Sequence, residues 1–158
     1  MQTTLLDLLR VDHMLVDVPA TDAFSAIRLV NAALVQSGHT LEAFGEDACA
    51  RETTFPTGLP TQPVAVAIPH ADPPHVLATA VAIGVLRSPV QFSQMGTDGS
   101  VHLDVHAVFL LAVKDQAKQV EMIQQLMKVI QNQSLLGAIT RLDSPGEMHE
   151  LIRKTLTS

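Results

Sequence analysis

The chain of 158 residues holds a single cysteine, Cys49. A lone thiol cannot close an internal disulfide, and this usage fits a reducing compartment. Cations are scarce: ten Lys and Arg stand against sixteen Asp and Glu, for a formal charge of −6 and a pI near 5.5. Beyond residue 87 the only cations are Lys114, Lys118, Lys128, Arg141, Arg153 and Lys154, and no two lie close enough to build a basic run except the last pair. A nucleic-acid footprint is therefore not expected. Long apolar runs are missing as well. The longest, VLATAVAIGVL at 76–86, has 11 residues, well short of the roughly 20 that span a bilayer. The opening MQTTLLDLLRVDHMLV carries an early Asp7 and no small-residue cleavage site, unlike a signal peptide. Internal repeats, low-complexity tracts and linkers are absent too. These absences predict a soluble, cytoplasmic protein folded as one domain over 1–158.

What is present is a strong apolar pattern, with 47% hydrophobic residues. Thr21 is a candidate N-cap for a helix in which Phe24, Ile27, Val30, Leu34 and Val35 keep near-helical spacing, with Gly38 as its stop. A second helix is predicted after Thr40, running towards Arg51. FPTGLPTQP at 55–63 packs three prolines and a glycine into nine residues and must be loop. Three apolar runs read as buried strands: VAVAI at 64–68, TAVAIGVL at 79–86 and LDVHAVFLLAV at 103–113. Between the last two, RSPVQFSQMGTDGS has room for one edge strand. Ala117, Val120, Ile123, Leu126, Met127 and Ile130 share one helical face, and Ser144-Pro145-Gly146-Glu147 is a capping box for a last helix. Helices alternating with nearly continuous apolar strands indicate an α/β domain with a mostly covered sheet.

Three constellations could carry chemistry. In VAVAIPH the strand ends at Pro69, which has no N–H and holds Ile68 extended, so His70 is presented at the carboxyl end of a buried strand. An imidazole is largely unprotonated near neutral pH and can attack a phosphoryl group, and a guanidinium such as that of Arg51 stabilises the charge in transfer. The plainer alternative is a turn histidine and an arginine paired with a surface carboxylate. Second, His102, Asp104 and His106 share one strand face, a set that suits zinc, with Asp72 and His75 as further candidate ligands. Three polar residues at period two equally describe the solvated start of a strand. Third, Cys49 lies in a helical pattern with no histidine adjacent in sequence, which favours simple burial. His13, His39 and His149 stand in polar or capping contexts.

Arg51-Glu52, then FPTGL, then VAIPH resembles the signature of the type-2 IIA components of the bacterial sugar phosphotransferase system, the fructose–mannitol class. The form RE..FPTGL......VAIPHAD is most similar to the galactitol-specific branch, and the resemblance extends through HAVFLLAV, QVEMIQQLMKVI and LIRKTL. It implies a mixed, mostly buried β-sheet of about five strands flanked by helices on both faces. It also implies a cytoplasmic phosphocarrier: His70 takes a phosphoryl group, through its Nε2 nitrogen, from the carrier protein HPr. It then passes the group to a cysteine of a IIB component, which serves a membrane IIC permease. Arg51 would stabilise the phosphoryl group, with Glu52 and Thr57 in support, and neither cofactor nor metal is required. The rim around His70 would be apolar with acidic flanks, Asp72 and Glu52 among them.

One position departs from the pattern. Many members carry a second histidine early in the helix after the last long strand, and Gln119 stands there. Its support must then come from Gln119, from a strand residue such as His106, or from nothing. Three other readings compete: a nitrogen-type regulatory relative that takes phosphate but feeds no transporter, a zinc-dependent hydrolase built on His102, Asp104 and His106, and a binding module in which His70 is inert.

Overall fold

The computed structural model describes residues 3–157. After a short capped helix, α1 (Leu5–Leu8), and a 3-10 turn at Val11–His13, the chain forms β1 (Met14–Val18). Two helices follow, α2 (Ala23–Gln36) and α3 (Glu42–Thr54). The N-cap of α2 is Asp22, one residue beyond the expected Thr21. Its carboxylate accepts from the Ser25 N–H at 2.7 Å, while Thr21 donates its own N–H to the Ser25 hydroxyl. Gly38, at φ +80°, supplies the left-handed residue after the helix.

Next come β2 (Gly58–Leu59), β3 (Ala65–Ala67), a 3-10 turn at Pro73–His75, and two long strands, β4 (Ala80–Ser93) and β5 (His102–Ala112). A 3-10 turn at Gln116–Lys118 leads into α4 (Gln119–Ile130), followed by α5 (Gln133–Ile139) and α6 (Pro145–Thr157). The Glu147 N–H donates to the Ser144 hydroxyl at 3.3 Å, which is one half of the capping box expected for the last helix.

The five strands form one sheet in the order β1-β4-β5-β3-β2, parallel at β1/β4 and β3/β5 and antiparallel at β4/β5 and β2/β3. It is the mixed sheet anticipated from the sequence, and two separate cores explain why its strands read as continuous apolar runs. Ala82, Val108 and Leu110 point to α2 and α3, where they meet Ile27, Val30, Leu34, Phe44 and Ala48. Their strand neighbours Val81, Ile83, Phe109 and Leu111 point the other way, onto Met122, Leu126, Ile130, Leu136, Met148 and Ile152 of α4, α5 and α6. Alternation at period two thus feeds both layers. Gly84 lets α2 lie close: a Cβ there would come 2.6 Å from a methyl of Val30.

The sequence reading needs correction in several places. The segment after Leu86 is no separate edge strand. It continues β4 beyond a bulge, where the pairing jumps from Val85↔Ala107 to Val90↔Val105. The far arm of this hairpin reaches back to β2, where Gly58 bridges Gln94 and the Met95 N–H donates to the Gly58 carbonyl at 2.7 Å. A Cβ on Gly58 would lie 2.6 Å from the Ser93 carbonyl oxygen, so only glycine admits that approach. Three elements, α1, β1 and α5, had no counterpart in the sequence reading, and the segment 55–63, expected to be loop throughout, contains the edge strand β2, which pairs with β3 through Gly58↔Ala67 and Leu59↔Val66. Finally, Ala117 and Val120 do not join the buried face: Ala117 is in the exposed 3-10 turn, and Val120, in the first turn of α4, is 66% exposed. Among the described residues no helix is long and apolar enough to cross a membrane.

Candidate functional site

His70 follows β3 by three residues, and its position is fixed from both sides of that strand. On one side the Ile68 N–H donates to the Thr57 carbonyl at 3.2 Å; on the other, the Leu111 N–H of β5 donates to the Pro69 carbonyl at 3.1 Å. Proline at 69 costs no ladder donor because only its carbonyl is used. His70 is 8% exposed, with Nδ1 2.8 Å from the Ile68 carbonyl. A carbonyl oxygen can only accept, so Nδ1 is the protonated nitrogen and Nε2 carries the lone pair. Burial pushes the His70 pKa below the usual imidazole value; the Ile68 hydrogen bond opposes this, while the Arg51 charge adds to it. At neutral pH the ring is therefore a neutral nucleophile with one tautomer selected.

Arg51 lies in the last turn of α3. Its Nε is buried without a hydrogen-bond partner, and its guanidinium carbon sits 5.0 Å from the centre of the Phe55 ring. Neighbouring Glu52 is turned away from the solvent. Its two carboxylate oxygens accept from Thr57, one from the N–H at 2.6 Å and one from the hydroxyl at 2.7 Å. Burial raises the Glu52 pKa, against the Thr57 hydrogen bonds and the Arg51 charge, which lower it. The carboxylate thus staples the loop after α3 down beside β3.

Arg51, Phe55, Thr57 and His70 line one cleft of about 260 Å³, whose far wall is Met95, Gly96 and Thr97 from the β4–β5 turn. A buried guanidinium donor without an acceptor, next to an imidazole lone pair, makes this cleft suited to a tetrahedral oxyanion bonded to nitrogen. Phe55 and Met95 leave much of their apolar surface exposed at its mouth.

The loop after His70 is held from α4 and its leading turn. Gln119 Nε2 donates to the Ala71 carbonyl at 3.1 Å, and Gln116 Nε2 donates to Asp72 Oδ1 at 3.0 Å. Position 119 is thus beside the residue that follows His70. From the α3 side, His75 Nδ1 donates to Asp47, and the Leu41 N–H donates to the His75 carbonyl.

The structure does not bring His106 to this cleft. His70 bridges Leu111, and His106 lies five residues earlier on β5, about 17 Å along the strand at 3.3–3.4 Å per residue. Its Nδ1 donates instead to the Asp104 carbonyl at 3.2 Å. His102 and Asp104 are exposed on the same strand, but among the described residues no three His, Cys, Asp or Glu side chains converge into a metal-holding group. The zinc reading therefore has no constellation to stand on. Cys49 is buried against the Phe24 carbonyl, and burial pushes its thiol up to about 11, away from nucleophile chemistry. The cleft residues that sequence reasoning missed are Thr54, Phe55 and Pro56 on one side and Met95 to Thr97 on the other. A glycine at 58, demanded by the close approach of the hairpin arm, was the one local sign of the latter.

Residues 7–155 match the family described as phosphoenolpyruvate-dependent sugar phosphotransferase system, EIIA 2. The galactitol-specific EIIA component of Escherichia coli K12 is 28% identical over 93 residues, which span 59% of this chain and 61% of that protein. The mannitol IIA of E. coli superposes with a TM-score of 0.75 at 22% identity, covering 91% of this chain and 98% of that one. The same mannitol IIA in its complex with phosphorylated IIB gives 0.73 at 22% identity, covering 91% and 96%. The nitrogen regulatory protein IIA-Ntr of Neisseria meningitidis gives 0.74 at 22% identity, covering 93% and 97%. The match runs over nearly the whole chain and includes both the strand that presents His70 and the helix that presents Arg51: this chain belongs to the EIIA type-2 family of the sugar phosphotransferase system.

Proposed function

We propose that this protein is a phosphohistidine carrier that takes a phosphoryl group on His70 Nε2 from phospho-HPr and hands it to a cysteine of a IIB component. The observation that carries the reading is the pairing, in one cleft, of a tautomer-locked imidazole with a half-buried arginine whose Nε has no hydrogen-bond partner. Nε2 attacks phosphorus, the new N–P bond forms as the bond to the donor's imidazole breaks, and the electron pair leaves with that imidazole. The proton on Nδ1 stays where it is, because the Ile68 carbonyl holds it. Arg51 receives the charge spread over the phosphoryl oxygens. In the second half-reaction a IIB thiolate attacks the same phosphorus, and the pair returns to Nε2.

Cytoplasmic placement follows from these partners, with a IIC permease served at one remove. Galactitol is the sugar alcohol we assign, because the relative whose sequence aligns is galactitol-specific. A nitrogen-type regulatory role would use the same His70 chemistry and differ in having no IIB acceptor. The test is incubation with phosphoenolpyruvate, enzyme I and HPr, followed by peptide mapping of an acid-labile phosphohistidine. Label on the peptide containing His70 is expected, and its loss in His70→Ala with the fold intact. Label retained in that variant would overturn the assignment. Discharge by galactitol IIB but not mannitol IIB supports galactitol, and discharge by neither favours the regulatory role.

A further inference from the structure

We infer that Phe55 is the positioning residue for Arg51, holding the guanidinium over the cleft by its ring face so that no carboxylate needs to. The inference rests on the phosphocarrier reading above. An arginine side chain has four rotatable bonds, and one that must meet a phosphoryl group has to be oriented beforehand. Orientation commonly comes from a carboxylate, but here among the described residues none lies within salt-bridge distance of Arg51. The nearest in sequence, Glu52, has both oxygens occupied by Thr57.

What does touch the guanidinium is Phe55, whose ring centre lies 5.0 Å from Cζ. That geometry is within the range of a cation–π contact. It differs from an ion pair in one way that matters for an anion carrier. A carboxylate would occupy the donors and repel the incoming phosphoryl group; a ring face attracts the cation from one side and leaves every N–H free. Nε, buried and unpartnered, is the visible consequence.

The backbone that carries the ring is well fixed. The Phe55 N–H donates to the Arg51 carbonyl at 2.7 Å, and two residues later Thr57 is clamped by Glu52. Its 58% exposure, costly for a phenyl group in water, is otherwise unexplained by packing.

Two measurements test this. The first follows the Arg51 Nε–Hε resonance in wild type, Phe55→Leu and Phe55→Tyr. A resonance shifted by the ring is expected in wild type and Tyr, and one collapsed to the position of a free arginine in Leu. Identical positions in wild type and Leu would overturn the inference. The second is single-turnover transfer from phospho-HPr. Phe55→Leu is expected to slow transfer about fivefold, the rate equivalent of one exposed cation–π contact, and Phe55→Tyr to restore it within about twofold. In the Arg51→Ala background Phe55→Leu is expected to change nothing further. An equal slowing there would mean that the ring serves partner contact rather than Arg51, and would overturn the inference. If wild type takes no label at all, the phosphocarrier reading fails, while the resonance comparison still decides whether Phe55 holds Arg51.

Discussion

Glu52 holds Thr57 by two hydrogen bonds at once, and this pair ties the end of α3 to the loop that enters β3. Removing the carboxylate in Glu52→Ala strands a buried N–H and a buried hydroxyl together, at a cost of about 1–3 kcal/mol for each group left without a partner. We expect a large drop in the denaturation midpoint. Glu52→Gln should lose less, because its carbonyl oxygen can still accept from the Thr57 N–H while its amide donates to a rotated hydroxyl. Chemical denaturation of both variants measures the order; equal losses would show that the charge matters more than the hydrogen bonds.

Arg51→Ala should slow phosphoryl acceptance by about a hundredfold or more, the usual effect of removing a donor to developing oxyanion charge. Arg51→Lys should recover only part, since an ammonium cannot present the same planar fork. Stability should change little in either, because Arg51 forms no ion pair with the described residues. A wild-type rate in Arg51→Ala, read by single-turnover transfer, would make the arginine a bystander.

Stability should fall in mild acid through His13. This ring, in the 3-10 turn that leads into β1, is fully buried, with Nε2 2.8 Å from the Ser37 hydroxyl and Nδ1 without a hydrogen-bond partner among the described residues. Burial, with smaller opposing help from Asp12, lowers its pKa from 6.5 to about 4. Between those two values the unfolded chain binds more protons than the folded one, so stability rises with pH across the window and is lost as pH falls through it. The loss attributable to His13 is on the order of 3 kcal/mol over the window. Urea titrations of wild type and His13→Gln at several pH values should show a shallower pH slope in the variant.

Gln119, expected from the family resemblance to stand in place of a second histidine, reaches the Ala71 carbonyl with its amide. Because an amide does not titrate, transfer in the wild type should show the pH response of His70 alone. In Gln119→His a second imidazole component is expected near neutral pH. Identical rates and pH profiles in the two proteins would place position 119 outside the chemistry.

Much of this arrangement could be read from the chain because the relevant signals were local. Pro69 stops β3 and delivers His70, and the apolar spacing from Phe24 to Val35 marks α2; the prolines of 55–63 signal irregular chain, within which the two residues of β2 are invisible. Other features depend on contacts between distant segments. The bulge in β4 passes through Arg87-Ser88-Pro89, which reads locally as a turn, yet Val90 to Ser93 pair with β5 again once the ladder resumes. β1 was missed because Asp17 interrupts its apolar run; it adopts φ +54° and pairs with Arg87 across the sheet. Val120 fits the helical period but falls in the first turn of α4, which overhangs the core. In the site, Arg51 and His70 were recognisable by residue type and order. The wall from Met95 to Thr97 was not, since it arrives only through the curl of the hairpin.

The bridge from Gly58 to Gln94 also determines how this sheet meets its surroundings. At β2, the hydrogen-bonding edge is only two residues long, and the returning hairpin occupies the Gly58 carbonyl. At the opposite margin, β1 is broken by the left-handed Asp17. Neither border offers a straight row of free amides and carbonyls on which a foreign strand could grow. In the role proposed above, recognition of another polypeptide would then fall to side chains at the cleft mouth. The proposed phosphocarrier, which would have to be released after each transfer, is thereby spared an extended backbone ladder that would hold its partner in place.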